Sequence, residues 1–194
     1  MRMGLKYQWL ILAGLALGVT VTNGFARFSY GLILPAMKSE MEWNYAQAGW
    51  LNTSNALGYI LGAVITMLLI RRTSPAFLFA FGLITTTVAL VATGMNAALW
   101  WQTLWRILAG LFGAMSFSTA GVLAAGLFPN DLRRNALAIA ILFGTGGGIG
   151  IVLSGAMLPL ILDVYGNAYW PMAWIAVGAI SVTFLPLSLW AAIQ

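Results

Sequence analysis

An all-α membrane protein of six transmembrane helices, with both termini cytoplasmic, is the fold class that three observations predict. Of 194 residues, 61% are hydrophobic and only 7% are charged, whereas soluble domains carry about 25% charge. Six apolar runs, each long enough to cross roughly 30 Å of hydrocarbon, follow one another with only short breaks. The basic residues alternate between those breaks, as a multi-pass topology requires.

The first run spans Trp9–Met37 behind Lys6; it resembles a secretory signal only at its start, because it continues through Arg27 and Pro35 into five further spans. The second covers Tyr45–Ile70 and ends at Arg71 and Arg72. Ala76–Met95 is the third, closed by Asn96, and Leu99–Phe128 the fourth, closed by Pro129. Asn135–Val164 follows Asp131, Arg133 and Arg134, and Tyr169–Ile193 completes the set. No room remains for a soluble domain, so residues 1–194 read as a single six-helix bundle. Short connections make successive helices antiparallel neighbours.

Arg2, Lys6, Arg71, Arg72, Arg133 and Arg134 fall on one side and only Lys38 on the other. The side richer in Lys and Arg is cytoplasmic. Trp43, Trp50, Trp100, Trp101, Trp105, Trp170 and Trp174 gather at the outer ends, with Trp9 and Trp190 at the inner interface. The net charge of +5 is therefore a topology signal, and no nucleic-acid partner is expected.

With no His and no Cys, zinc-thiolate sites, thiol nucleophiles and Ser–His dyads are excluded. The four acids, Glu40, Glu42, Asp131 and Asp163, all fall near span ends. No catalytic residue, metal or cofactor is expected, and the chain does not read as an enzyme. Asp131 reads as a helix cap; Asp163 lies where it is able to answer an arginine across a cavity.

Polar and small residues form stripes at helical spacing. Thr20, Asn23, Arg27 and Tyr30 share a face of the first helix, and Asn52, Asn55, Tyr59 and Thr66 share one of the second, with Gly62 between. Arg106, Gly110, Gly113, Phe117 and Ala124 line the fourth helix, and Gly144, Gly147, Gly148 and Gly155 the fifth. Such faces either hold helices together or line a water-filled cavity. The third and sixth helices lack them and read as supports. Arg27 and Arg106 each cost about 2.5–3.5 kcal/mol at mid-span. If both face one cavity, the pair favours an anionic group or demands carboxylates from elsewhere.

The segment Gly24-Phe25-Ala26-Arg27-Phe28-Ser29-Tyr30-Gly31-Leu32-Ile33-Leu34-Pro35, with Ala48-Gly49-Trp50 and Gly58-Tyr59-Ile60-Leu61-Gly62, resembles the major facilitator superfamily, and within it the bacterial YbfB/YjiJ-type branch. The resemblance spans the whole chain as the N-terminal half of a twelve-helix transporter, a half built as a three-plus-three inverted repeat. It implies a secondary active transporter of small molecules, with proton-coupled efflux as one mode, in a bacterial inner membrane. Helices 1, 2, 4 and 5 would surround the cavity.

Motif by motif, Gly62, Arg71 and Arg72 match the family's loop after helix two, while Thr66 replaces its gating Asp. Arg106 and Gly110 match the Arg-x-x-x-Gly pattern that the family associates with proton transfer. Gly144-x-x-x-Gly148 matches the start of its antiporter motif, with Ile149 in place of Pro. Substrate or coupling roles thus fall to Asn23, Arg27, Tyr30, Asn52, Asn55, Tyr59 and Arg106. Gating or structural roles fall to Gly62, Arg71, Arg72, Gly110, Gly144 and Gly148.

The chain ends at Ser188–Gln194 by the inner interface. The expected partners are the bilayer, a small-molecule substrate and a second six-helix half. That half would be a missing C-terminal half, a separate chain or a second copy. The alternative is a non-transporting membrane scaffold or an inactive truncated remnant.

Overall fold

The computed structural model describes residues 4–194; Arg2, counted above in the charge bias, lies outside the described residues. No strand occurs among the described residues, and six helices are long and apolar enough to cross a membrane. They are α1 (Leu5–Glu40), α2 (Tyr45–Leu69), α3 (Pro75–Thr93), α4 (Leu99–Ala125), α5 (Leu132–Tyr165) and α6 (Trp170–Ala192). A 3-10 turn, Asn167–Tyr169, leads into α6. Gly166 precedes it at φ 89°, a conformation that side chains other than glycine rarely adopt.

Helix starts follow capping chemistry. Asn44 and Gln47 form a reciprocal capping box on α2. Ser74 accepts from the Phe77 amide at 3.2 Å, with Pro75 opening α3. The Asp131 side chain accepts from the Arg134 amide at 2.9 Å and starts α5 at Leu132. Arg133 and Arg134 consequently lie in the first turn of α5 rather than in the loop before it. α4 correspondingly stops at Ala125, short of the expected Phe128.

The helices approach through glycines. Gly58 and Gly62 of α2 rest on the Ile107 and Leu111 carbonyls of α4, and Gly110 of α4 rests on the Asn55 carbonyl. A Cβ at Gly24 of α1 would stand 2.6 Å from the Gly150 Cα of α5. Gly178 of α6 faces Val91 of α3 in the same manner. Lipid tails are as apolar as leucine, so close packing and interhelical hydrogen bonds supply the association. The α1 backbone is the hub, touching α3, α4, α5 and α6, whereas α2 leans mainly on α4. α3 and α6 pack together behind them.

Most buried hydroxyls are satisfied locally, while those of Ser54, Ser116 and Ser188 have no partner. Thr22, Thr66, Thr86, Thr87, Thr93 and Ser181 each donate to the carbonyl four residues earlier, at 2.7–3.0 Å, which removes the cost of an unpaired donor in hydrocarbon. Two bonds tie α1 to α5: Thr20 Oγ1 donates to the Gly146 carbonyl at 2.9 Å, and the Ser29 and Ser154 hydroxyls pair at 3.0 Å.

One segment departs from the α form. Residues Thr20–Phe28 of α1 are wound as a π-helix. The slower winding breaks the 100° phasing on which the stripe on the first helix depends. Thr20 and Tyr30 turn inward, Asn23 is half-buried and Arg27 is exposed.

Replacing Gly24 by Ala is expected to lower stability by about 1–3 kcal/mol, because the Cβ meets backbone that cannot yield. Gly155→Ala, with no atom within 4 Å of the added carbon, should be near neutral. Thermal unfolding followed by size-exclusion chromatography in mild detergent compares the two; equal losses would contradict the packing described.

Candidate functional site

The two intramembrane arginines have separate surroundings. Arg106, on α4, is 1% exposed. Its Nη1 donates to the Ala26 carbonyl, within the π segment, at 2.9 Å. Its Cζ lies 4.7 Å from the Tyr30 ring centroid and 5.6 Å from that of Trp174. Nε and Nη2 have no hydrogen-bond partner. Two aromatic faces and one carbonyl hold this cation, with each desolvated cation–π contact worth about 2 kcal/mol.

Arg27 points the other way. It is exposed, and its Cζ lies 5.4 Å from the centroid of the half-buried Tyr59 ring on α2. Among the described residues the salt bridge is that of Asp131 with Arg134, at 3.1 Å near the end of the bundle that carries both termini. Asp163 is exposed and pairs with neither intramembrane arginine. The two arginines therefore do not share one cavity. The side chains diverge because α4 presents residue 106 toward α1 and α6, while the π segment turns residue 27 out of the bundle.

The aromatic contacts continue from Tyr59. Its ring lies 6.3 Å from Phe117 of α4, and Phe117 lies 4.5 Å from Phe143 of α5. All three rings are only partly buried. Arg27, Tyr59, Phe117 and Phe143 come from α1, α2, α4 and α5 respectively, so one continuous strip crosses four helices. At about 1.5 Å per residue from the helix ends opposite the termini, Arg27 and Tyr59 lie about 20 and 21 Å in, and Phe117 and Phe143 about 27 and 33 Å in. The strip thus runs from the cation toward the basic end.

The remaining candidates divide between packing and this open face. Asn55 is buried and donates from Nδ2 to the Arg106 carbonyl at 2.9 Å. Tyr30 is 2% exposed, and its hydroxyl donates to the Ala48 carbonyl at 2.7 Å. Both hold helices together and present nothing to a ligand on the open face. Gly62 and Gly110 lie in the α2–α4 contact. Asn52 is exposed, and Asn23 is half-buried with Nδ2 3.3 Å from where a Gly147 Cβ would stand. Gly144 and Gly148 have nothing within 4 Å of an added Cβ. The glycine ridge expected on α5 is open at Gly144, Gly148 and Gly155 with Gly147 beside Asn23, whereas Gly146 and Gly150, outside that ridge, pack on α1. Arg71 and Arg72 are exposed in the turn after α2.

Two participants escaped the sequence reading. Trp174, which by sequence belongs to the outer aromatic belt on a supporting helix, is fully buried, and its Nε1 donates to Met37 Sδ at 3.5 Å while its ring covers Arg106. Its four-residue spacing from Trp170, also buried, was the available signal. Phe143 was hidden among the adjacent glycines. Cavities of about 440 Å³ by Gln8, Asp131 and Arg134, and of about 650 Å³ by Lys38 and Tyr45, lie at the two ends of the bundle, away from Arg27.

A family model described as "Uncharacterised MFS-type transporter YbfB" matches residues 19–194. No curated protein matches the sequence.

The cage around Arg106 makes opposite predictions for its two sides. A buried cation without an anion costs desolvation energy that an apolar side chain of similar length avoids. Arg106→Met should therefore leave the melting temperature unchanged or raise it. Trp174→Ala should lower stability by about 3–5 kcal/mol through the cavity it opens. Thermal melts of both variants in one detergent test the pair, and a large loss in Arg106→Met would refute the account of the cage.

Proposed function

The chain belongs to this family of MFS-type transporters, and we propose that it forms one wall of the translocation path of a secondary transporter for small molecules. One observation carries the reading. The exposed Arg27 shares an open face with polar and aromatic residues of α1, α2, α4 and α5, while α3 and α6 pack behind. A guanidinium in the hydrocarbon region needs water, an anion or another protein surface. Facing lipid, that arrangement would be expensive. Facing a second six-helix body across a wet cavity, it is the ordinary design of alternating access.

In this reading the second body is supplied by further helices of the same polypeptide, by another chain or by a second copy. The basic end, with Lys6, Arg71, Arg72, Arg133 and Arg134, is cytoplasmic, in a bacterial inner membrane. Any proton-carrying carboxylate comes from the facing body, since the four acids of this chain lie near helix ends. The open glycines Gly144, Gly148 and Gly155 allow that body to slide close to α5.

Because the chain has no Cys, single-cysteine labelling needs no background mutations. Asn52→Cys and Ser118→Cys place thiols at exposed positions about 10 Å from opposite ends of the bundle, on α2 and α4. In membrane vesicles, a membrane-impermeant maleimide should reach residue 52 from the outer side and residue 118 from the cytoplasmic side. Locking either side closed with a cross-link should raise labelling at the other. Labelling that ignores the lock would favour a static scaffold.

A further inference from the structure

We propose that the substrate of this open face is a flat, apolar organic monoanion, specifically an aromatic carboxylate, whose charge sits on Arg27. The proposal rests on the transport reading above and narrows it to a chemical class.

Three observations lead to it. The first is the number of cations offered. Arg106 is closed off behind Tyr30 and Trp174 and is 1% exposed. Arg27 is exposed and its salt-bridge capacity is unused among the described residues. A single free guanidinium satisfies one carboxylate through two parallel hydrogen bonds. A dianion such as a phosphate monoester would leave its second charge without a cationic partner on this face.

The second is the location of the acids. Glu40 ends α1 and Glu42 follows it, with Glu40 about 20 Å along the helix from Arg27. Asp131 is occupied by Arg134, and Asp163 pairs with no arginine. No carboxylate of the described residues competes for Arg27.

The third is what adjoins the cation. Tyr59, Phe117 and Phe143 continue from it with successive ring centroids 6.3 and 4.5 Å apart. Partly exposed rings at such spacing suit offset or edge contacts with another aromatic group. The Tyr59 face is also held by Arg27 at 5.4 Å, so a carboxylate on the guanidinium places its own ring beside Tyr59. Of the hydrogen-bonding groups around the strip, Asn55 and the Tyr30 hydroxyl are spent on the Arg106 and Ala48 carbonyls, while Asn23 is half-buried and Asn52 exposed.

The test uses the purified natural gene product in mild detergent and two probes of one shape, 2-naphthoate and the neutral 2-naphthamide. Isothermal titration is expected to show naphthoate binding roughly tenfold or more tightly than the amide, the usual worth of a charge-assisted hydrogen-bonded pair. Arg27→Gln should erase that preference. Arg27→Lys should keep part of it, because charge remains while the planar fork is lost. Tyr59→Leu and Phe143→Leu should weaken both probes alike. Equal binding of the two probes, no binding of either, or a preference that survives Arg27→Gln would overturn the assignment. A carboxylate of the facing body seated on Arg27 would give one of the first two results. The labelling of residues 52 and 118 needs no ligand, so the transport reading stands or falls separately.

Discussion

Where α1 crosses α5, Gly24 and Gly150 bring two backbones together so closely that a Cβ on Gly24 would stand 2.6 Å from the opposing Cα. The Thr20–Gly146 and Ser29–Ser154 hydrogen bonds lie on either side of that crossing. Within a bilayer there is little hydrophobic drive between helices, so contact area and interhelical hydrogen bonds decide how they pack. Bulkier side chains here would move α5 outward and separate Phe143 from Phe117. The aromatic strip therefore depends on residues that take no part in it.

The same crossing contains the π segment Thr20–Phe28. Such segments are uncommon and concentrate at functional sites. Here the consequence is geometrical: residues that a straight helix would align are distributed between inside and outside. Tyr30 faces the core and Arg27 the open side. The Ala26 carbonyl of the same segment accepts from Arg106, so α4 grips α1 where its winding changes.

Two cations of one type thus have different physics. Arg106 is neutralised by no acid and is tolerated through aromatic faces and one carbonyl, at a cost in desolvation. Arg27 keeps its donors available. The separation turns a sequence with two intramembrane arginines into a face that offers one. Asn55 and Tyr30, polar residues on the same helices, are consumed in holding α2, α1 and α4 together.

The sequence by itself determined the all-helical class, the six apolar spans and their ends to within a few residues, and the partition of α1, α2, α4 and α5 from α3 and α6 as the polar helices. Those properties follow from composition, length and local capping, which neighbouring residues carry. Asp131 as the cap of α5 was legible for the same reason. Only the tertiary structure decided which polar residues face inward. A stripe at 100° per residue treats α1 as a uniform helix, and the π segment breaks that assumption. The split of the α5 glycines into a packed and an open set depends on where α1 crosses. The burial of Trp174 over Arg106 joins residues on helices that no local pattern relates. Each of these is settled by packing between distant segments, and one-dimensional spacing holds no record of it.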